Sequence, residues 1–304
     1  VASGPARAAP LEQARILVGF PAGSTPDVVA RRVADRLTAN GYAKAVIVDN
    51  RTGAGGQLAV SATKGQAGDG SVILISPMSI LGIYPHTYRK LPYDPVADLT
   101  PVSNGARFDY GFAVGPSVPE SVRTLPEFMA WAKANPAQAN VGSPAPGSTL
   151  HFSALSLGKA AGVELTHIGF RGSQAGIQDL LGGQLPAMSS PLGEFLRHLS
   201  TGKLRVIGTS GAQRSRFTPQ VPTYAEQGYK DMTYSEWYGF YLPAKASGAT
   251  VARLNAALHE ALKAPEVVES LATFGLEPAP STPAELAALL KRDTERWGPV
   301  VKAI

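Results

Sequence analysis

RILVGFPAGSTPDVVARRVADRL, residues 15–37, holds one complete structural unit. Residues 15–20 are apolar enough for a buried strand. Pro21, Ala22, Gly23, Ser24, Thr25 and Pro26 then break the run. Beyond them Val29, Val33 and Leu37 recur at i, i+4 and i+8, with Arg31, Arg32, Asp35 and Arg36 on the other side. That is an amphipathic helix. Thr25 is its expected N-cap, Pro26 suits the first helical position, and Asp27 complements the positive helix end.

The same alternation continues outward. A strand over residues 45–48 (AVIV) leads through Asn50, Arg51, Thr52, Gly53, Ala54, Gly55 and Gly56 into a short helix from Gln57, and residues 72–75 (VILI) form a third buried strand. Strand, helix, strand, helix, strand predicts an α/β layer with a parallel sheet. A second unit follows: strand 112–114, helix 125–134 entered through Thr124, strand 140–142, a helix from about Leu150, strand 165–168, helix 175–181 and strand 204–208. After a Pro- and Gly-rich stretch, residues 219–228, come strand 237–242 and helices 251–262, 266–274 and 283–297. The late helices are surplus to the second unit and are expected to return to the first sheet. Two lobes joined by two crossings, with a cleft between them, are the expected result.

Composition narrows the function classes. The 304 residues amount to two domains at roughly 100–200 residues each. With 17% charged residues and 44% hydrophobic ones, the chain can bury a sizeable core. The lack of cysteine removes disulfides, thiolate metal sites and thiol nucleophiles. No apolar run approaches the ~20 residues of a membrane span. The net charge of +5 is scattered, with no basic run longer than Arg31-Arg32, so nucleic-acid binding is not expected. A diffuse field that gathers small anions and an ordinary solvated surface are both open readings. Residues 1–10 (VASGPARAAP) read as a flexible lead-in, left where an export signal has been removed or where a terminus is simply ragged.

Familiar catalytic motifs fail. Gly53-Ala54-Gly55-Gly56 has Leu58 where a dinucleotide fingerprint needs its third glycine, and it lacks a P-loop's Lys-Ser/Thr. Gly208-Thr209-Ser210-Gly211 misses a nucleophile elbow by one position. His86, His151, His167, His198 and His259 show no metal-ligand spacing, and neither a metal nor a cofactor is expected. A serine hydrolase using Ser143 or Ser148 with His151 as base stays open as an alternative.

Three strand-to-helix turns share a design: residues 21–25, 143–149 and 171–173. Each sets small hydroxyl residues and unpaired backbone N–H groups at a helix start, where the dipole favours an anion such as a carboxylate. Tight turns and caps alone would use the same residues. Arg171 offers a bidentate fork to a carboxylate or is a surface arginine, and Phe20 and Phe170 wall an apolar ligand or belong to the core.

These segments carry a resemblance. VGFPAGSTPDVVAR (residues 18–31), VDNRTGAGGQLA (48–59), YPHTYRKLPYDPVADLTPV (84–102), HIGFRGSQAGIQDLLGGQL (167–185), TGKLRVIGTSGAQRS (201–215) and VPTYAEQGY (221–229) together resemble the periplasmic solute-binding proteins of tripartite tricarboxylate transporters, the TctC or Bug family. The resemblance implies a two-lobed α/β periplasmic-binding-protein fold of the Venus-flytrap kind. Lobe I would take residues 1–104 and 225–304, lobe II residues 105–224. It implies a monomer in the periplasm that captures a small organic carboxylate for membrane permease subunits. A sensor domain for the same ligands is the other family-level reading.

By position, the resemblance places ligand contacts at Phe20, Ala22, Gly23, Ser24 and Thr25 in the first loop and at Gly142, Ser143, Gly147, Ser148 and Thr149 in the second. Phe170, Arg171 and Gly172 match the loop after the next strand. Ser190-Pro191 stand where relatives carry an acid and Asn, which argues against an amino-acid ligand. Met78 and Ser79 follow the third strand in a bulkier, more apolar setting, and Arg107 and Tyr110 lie at the crossing, placed for a distal polar group. A dicarboxylate or an aromatic carboxylate such as terephthalate is therefore the expected ligand.

Overall fold

The structure, a computed structural model, describes residues 9–304, so most of the lead-in expected over residues 1–10 lies outside the described residues. Strand β1 (Ala14–Val18) is followed by helix α1 (Thr25–Ala39). The N-cap is Ser24, one residue before the expected Thr25, and its side chain does not cap. Instead the Ser24 hydroxyl donates to the Pro21 carbonyl at 2.6 Å, and Asp27 Oδ2 accepts the Gly23 N–H at 2.8 Å. Asp27 is buried and also accepts from Arg31 Nε and Asn50 Nδ2, which ties the helix start to the next strand.

The first lobe continues with β2 (Val46–Asn50), α2 (Gln57–Thr63), β3 (Val72–Pro77), a single π-helical turn at Ser79–Ile83, α3 (Tyr84–Thr87) and β4 (Leu99–Phe108). The chain then crosses. The second lobe holds β5 (Tyr110–Val114), α4 (Leu125–Ala134), β6 (Asn140–Ser143), α5 (Thr149–Ala160), β7 (Thr166–Gly169), α6 (Ser173–Leu181), β8 (Ala187–Pro191), α7 (Leu192–Leu196) and β9 (Arg205–Thr209). It returns through β10 (Glu236–Pro243), α8 (Gly248–Lys263), α9 (Pro265–Ala272), β11 (Glu277–Pro278) and α10 (Pro283–Ala303).

Two sheets result, ordered β11-β4-β10-β3-β1-β2 and β7-β6-β8-β5-β9. β1 pairs in parallel with β2 and β3, as the alternation predicts. The sheets as wholes are mixed, because the strand that opens each new lobe runs against its neighbours. β5 is antiparallel to β8 and β9, and β10 is antiparallel to β3 and β4. Asp109 alone separates β4 from β5, and so short a link passes the chain straight from one sheet into the other.

The late helices do return to the first sheet: α8 and α10 lie on β4, and α8 and α9 on α1. Each lobe has its own core, the second split between the two faces of its sheet. Leu150 and Phe152, from the start of α5, nevertheless bury themselves in the core of the first lobe. The lobes are therefore closed on each other, with the strand ends and helix starts of both facing one cleft.

Candidate ligand cleft

The cleft encloses about 450 Å³ with its open mouth included. Phe20, Ser24, Thr25 and Pro26 line it from the first lobe, with Pro77 at the end of β3, Ser79 and Ile80 just beyond it, and Phe108 at the crossing. Pro144, Ala145, Ser148 and Leu150 face them from the second lobe, beside Ser173 and Pro191. Glu194, Glu236 and Tyr238 complete the wall. No lysine, arginine or histidine lines it among the described residues.

The two carboxylates organise this space. Glu194, on α7, is 2% exposed, and its Oε1 accepts the Thr25 N–H across the lobes at 2.8 Å. Gln174 Nε2 donates to its Oε2 at 2.7 Å, and Arg197 to the same oxygen at 3.2 Å. Burial raises its pKa despite these donors. Glu236 is 1% exposed and takes four donors. The Ser79 N–H (3.0 Å) and Ser79 hydroxyl reach Oε1, and the Tyr110 hydroxyl (2.8 Å) and Thr149 hydroxyl reach Oε2. Its pKa too is raised, burial outweighing the hydrogen bonds.

The first loop thus differs from its expected role. Three of its amides are spoken for, Gly23 by Asp27, Ser24 by the Pro21 carbonyl and Thr25 by Glu194, while Pro26 has none. The Thr25 hydroxyl pairs with the Tyr238 hydroxyl at 2.7 Å. The N-terminus of α1 attracts an anion, and the protein supplies its own.

The second loop is built differently. Ser148 is the N-cap of the 12-residue α5, is 2% exposed and lines the cleft, yet its hydroxyl has no hydrogen-bond partner and does not cap the helix. A buried hydroxyl costs about 1–3 kcal/mol when left unpaired, so it is a group awaiting a partner.

Of the other expected contacts, Phe20, Ser24, Thr25 and Ser79 line the cleft, and Thr149 stands behind it on Ser79 and Glu236. Ser190 lies one layer deeper, donating to Ser173 Oγ at 2.8 Å. Ala22 and Gly23 are exposed, and Met78 is in the first core. Gly142 lies under Phe170, which packs on the second core. Gly172 is set against Pro21, Gly147 donates to His151, and Arg171 is exposed outside the cleft. Arg107 pairs with Glu277 at 2.8 Å in a separate depression, and Tyr110, expected to meet a distal ligand group, is held by Glu236. Sequence reasoning missed Glu194, Glu236 and Tyr238. Glu194 is the one charged residue of the short helix α7 and Glu236 that of β10, which also holds Tyr238, and no spacing signal marks any of them.

A serine–histidine pair does exist, but not in the cleft. His167 Nε2 lies 2.8 Å from the Ser143 hydroxyl, and His151 stacks on His167 at 3.6 Å while its Nδ1 accepts the Gly147 N–H. Ser143 is fully buried and none of the three lines the cavity. Burial pushes the pKa of His151 down to about 4, and burial with the neighbouring imidazole pushes His167 to about 3. Both bases are depressed, so the unfolded chain binds their protons first. Their contribution to stability is complete above about pH 6.5 and is lost as the pH falls toward 4 and 3. His167→Gln, which keeps a partner for Ser143 but does not titrate, is expected to flatten the fall in melting temperature between pH 6.5 and 4. An unchanged slope would assign that fall to other groups.

A two-lobed α/β chain, crossed twice, with a cleft at its strand ends, has the architecture of the periplasmic binding proteins. More narrowly, the chain belongs to the TctC family, described as the tripartite tricarboxylate transporter family receptor, which it matches over residues 29–304. It is 31% identical to protein BugT of Bordetella pertussis over 294 residues, covering 96% of this chain and 89% of that one. Rpa4515 of R. palustris, solved with adipate, superposes with a TM-score of 0.90 at 28% identity, over 95% of this chain and 96% of that one. MatC of Rhodopseudomonas palustris, with bound malate, gives 0.86 at 27% identity, over 95% and 98%. No helix among the described residues is long and apolar enough to cross a membrane.

Proposed function

We propose that this chain is the periplasmic receptor of a tripartite tricarboxylate-type transporter, a monomer that closes its two lobes on a small organic carboxylate and presents it to the membrane permease subunits. The observation that carries this reading is the unpartnered Ser148 hydroxyl, buried in the cleft at the N-terminus of α5. A carboxylate there would accept from that hydroxyl and from the unpaired amides of the first turn, aligned with the helix dipole. Closure adds walls from both lobes and excludes water, which strengthens each of those bonds. The carboxylates seen in MatC and Rpa4515 are of the same chemical class. Binding without turnover is the whole function on this reading, because the cleft wall pairs no histidine with its serines.

A thermal-shift screen over aliphatic and aromatic carboxylates tests the reading. Ligand raises the melting temperature by mass action and is recovered unchanged. Ser148→Ala is expected to weaken every responding acid by about tenfold, the scale of one hydrogen bond to a charged group. Arg171→Ala is expected to leave affinity unaltered, since Arg171 lies outside the cleft. Turnover of the acid, or indifference to the whole panel, would end the receptor reading.

A further inference from the structure

The α1 and α5 helix starts face one cleft, and only one of them is free to take an anion. At α1 the Thr25 amide is closed by Glu194 Oε1 at 2.8 Å, a contact between residues 169 positions apart and from different lobes. Glu194 is not there by default. Gln174 and Arg197 hold its second oxygen, and it follows Gly193, which sits directly against the Phe274 carbonyl. At α5 the Ser148 hydroxyl, 2% exposed, has no partner. Between the two ends the wall is apolar, formed by Phe20, Ile80, Phe108, Leu150 and Pro191.

We propose that Glu194 is a resident carboxylate occupying the α1 helix start, so that the cleft accepts a ligand with one carboxylate, held at α5, on an apolar body, and rejects a dicarboxylate. The inference rests on the carboxylate-receptor reading above and narrows its ligand. A second ligand carboxylate would enter a cleft that already holds Glu194 and Glu236 and presents no basic side chain among the described residues. Like charges in that setting repel strongly, because little water is present to screen them. A ligand ammonium is not invited either. Glu236 already accepts four hydrogen bonds, and Glu194 already has three donors, including Arg197. Ser190, where the sequence resemblance pointed to an acid in relatives, is spent on Ser173.

The test uses matched pairs with the same carbon skeleton, hexanoate against adipate and 4-methylbenzoate against terephthalate, titrated calorimetrically into the wild type, Glu194→Gln and Glu194→Ala. The wild type is expected to bind the better monocarboxylate at least about tenfold more tightly than its dicarboxylate partner, the scale of one unfavourable like-charge contact. Glu194→Ala frees the Thr25 amide and removes the charge, and is expected to bring that ratio to about threefold or less, or to invert it. Glu194→Gln keeps the volume and an acceptor for Thr25, so it carries the comparison if the alanine variant does not fold. It too should narrow the ratio. A wild type that binds adipate or terephthalate as well as the matched monocarboxylate overturns the inference and leaves the receptor reading standing. So does a ratio that neither variant changes. No response to any of the four acids overturns the carboxylate reading and this inference with it.

Discussion

Glu236→Ala is expected to lower the unfolding free energy by about 3–5 kcal/mol, the range for removing one member of a buried charged network. The side chain is 1% exposed and satisfies two hydroxyls, a phenol and an amide at once. Rotatable hydroxyls can find other acceptors, but the Ser79 N–H has a fixed direction and would lose its partner. The loss also removes one of the links between the lobes. Ser79 belongs to the first lobe, Tyr110 and Thr149 to the second, and only the carboxylate gathers all three. Glu236→Gln should cost less, since one acceptor oxygen survives.

The pH dependence follows from the direction of the shift. The Glu236 pKa is raised in the folded state, so its contribution to stability is fully present below the unfolded value near 4.5 and is lost as the pH rises through the folded one. The penalty of Glu236→Ala is therefore expected to be larger at pH 5 than at pH 8. Equilibrium urea unfolding at both values measures it. A penalty under about 1 kcal/mol would mean that the donors find ready substitutes.

Gly193→Ala is expected to be comparably damaging, for a different reason. A Cβ on residue 193 would stand 1.5 Å from the Phe274 carbonyl oxygen and 2.4 Å from its carbon. Both are backbone atoms, so no side chain can swing aside. Gly275 meets the same contact from the other side: a Cβ on it would stand 3.0 Å from Gly193 Cα, and its own φ is +63°. Relief requires α7 to withdraw from the turn after α9, at about 3 kcal/mol or more, the upper end for overpacking. Because α7 carries Glu194, the variant should open the cleft as well as destabilise the chain. An increased radius of gyration in solution scattering would report the opening. Gly248→Ala is the control: it lies at the start of α8 with no neighbour within 4 Å of a Cβ, and is expected to be neutral or slightly stabilising. Equal losses for the two variants would show that the close approach at Gly193 is not the cause.

Most of the secondary structure was legible because it depends on local pattern. Helix 125–134 was read to the residue with Thr124 at its entry, and in the structure Thr124 and Glu127 form a capping box there. The first α/β unit was read from Val29, Val33, Leu37 and three apolar runs. Three strands escaped notice, the two-residue β11 and two longer ones. β4 (Leu99–Phe108) contains Pro101, Asn104 and Gly105, and β8 (Ala187–Pro191) contains two serines, so neither shows a strand's composition. Both are buried by neighbours far away in the chain, and tertiary packing overrides propensity there.

Local chemistry therefore settled a great deal in advance: two α/β units and helix starts rich in small hydroxyl residues. Those features arise from contacts within a few residues, where periodicity and capping are visible. Tertiary structure decided what the helix starts are for. Whether an N-terminus is empty depends on which distant side chain reaches it, and no spacing rule connects Thr25 to Glu194 across 169 positions. The same closure that brought Glu194 to α1 left the Ser148 hydroxyl alone at α5. Of the anion-ready turns read in sequence, the folded chain holds the α1 start occupied and the α5 start open.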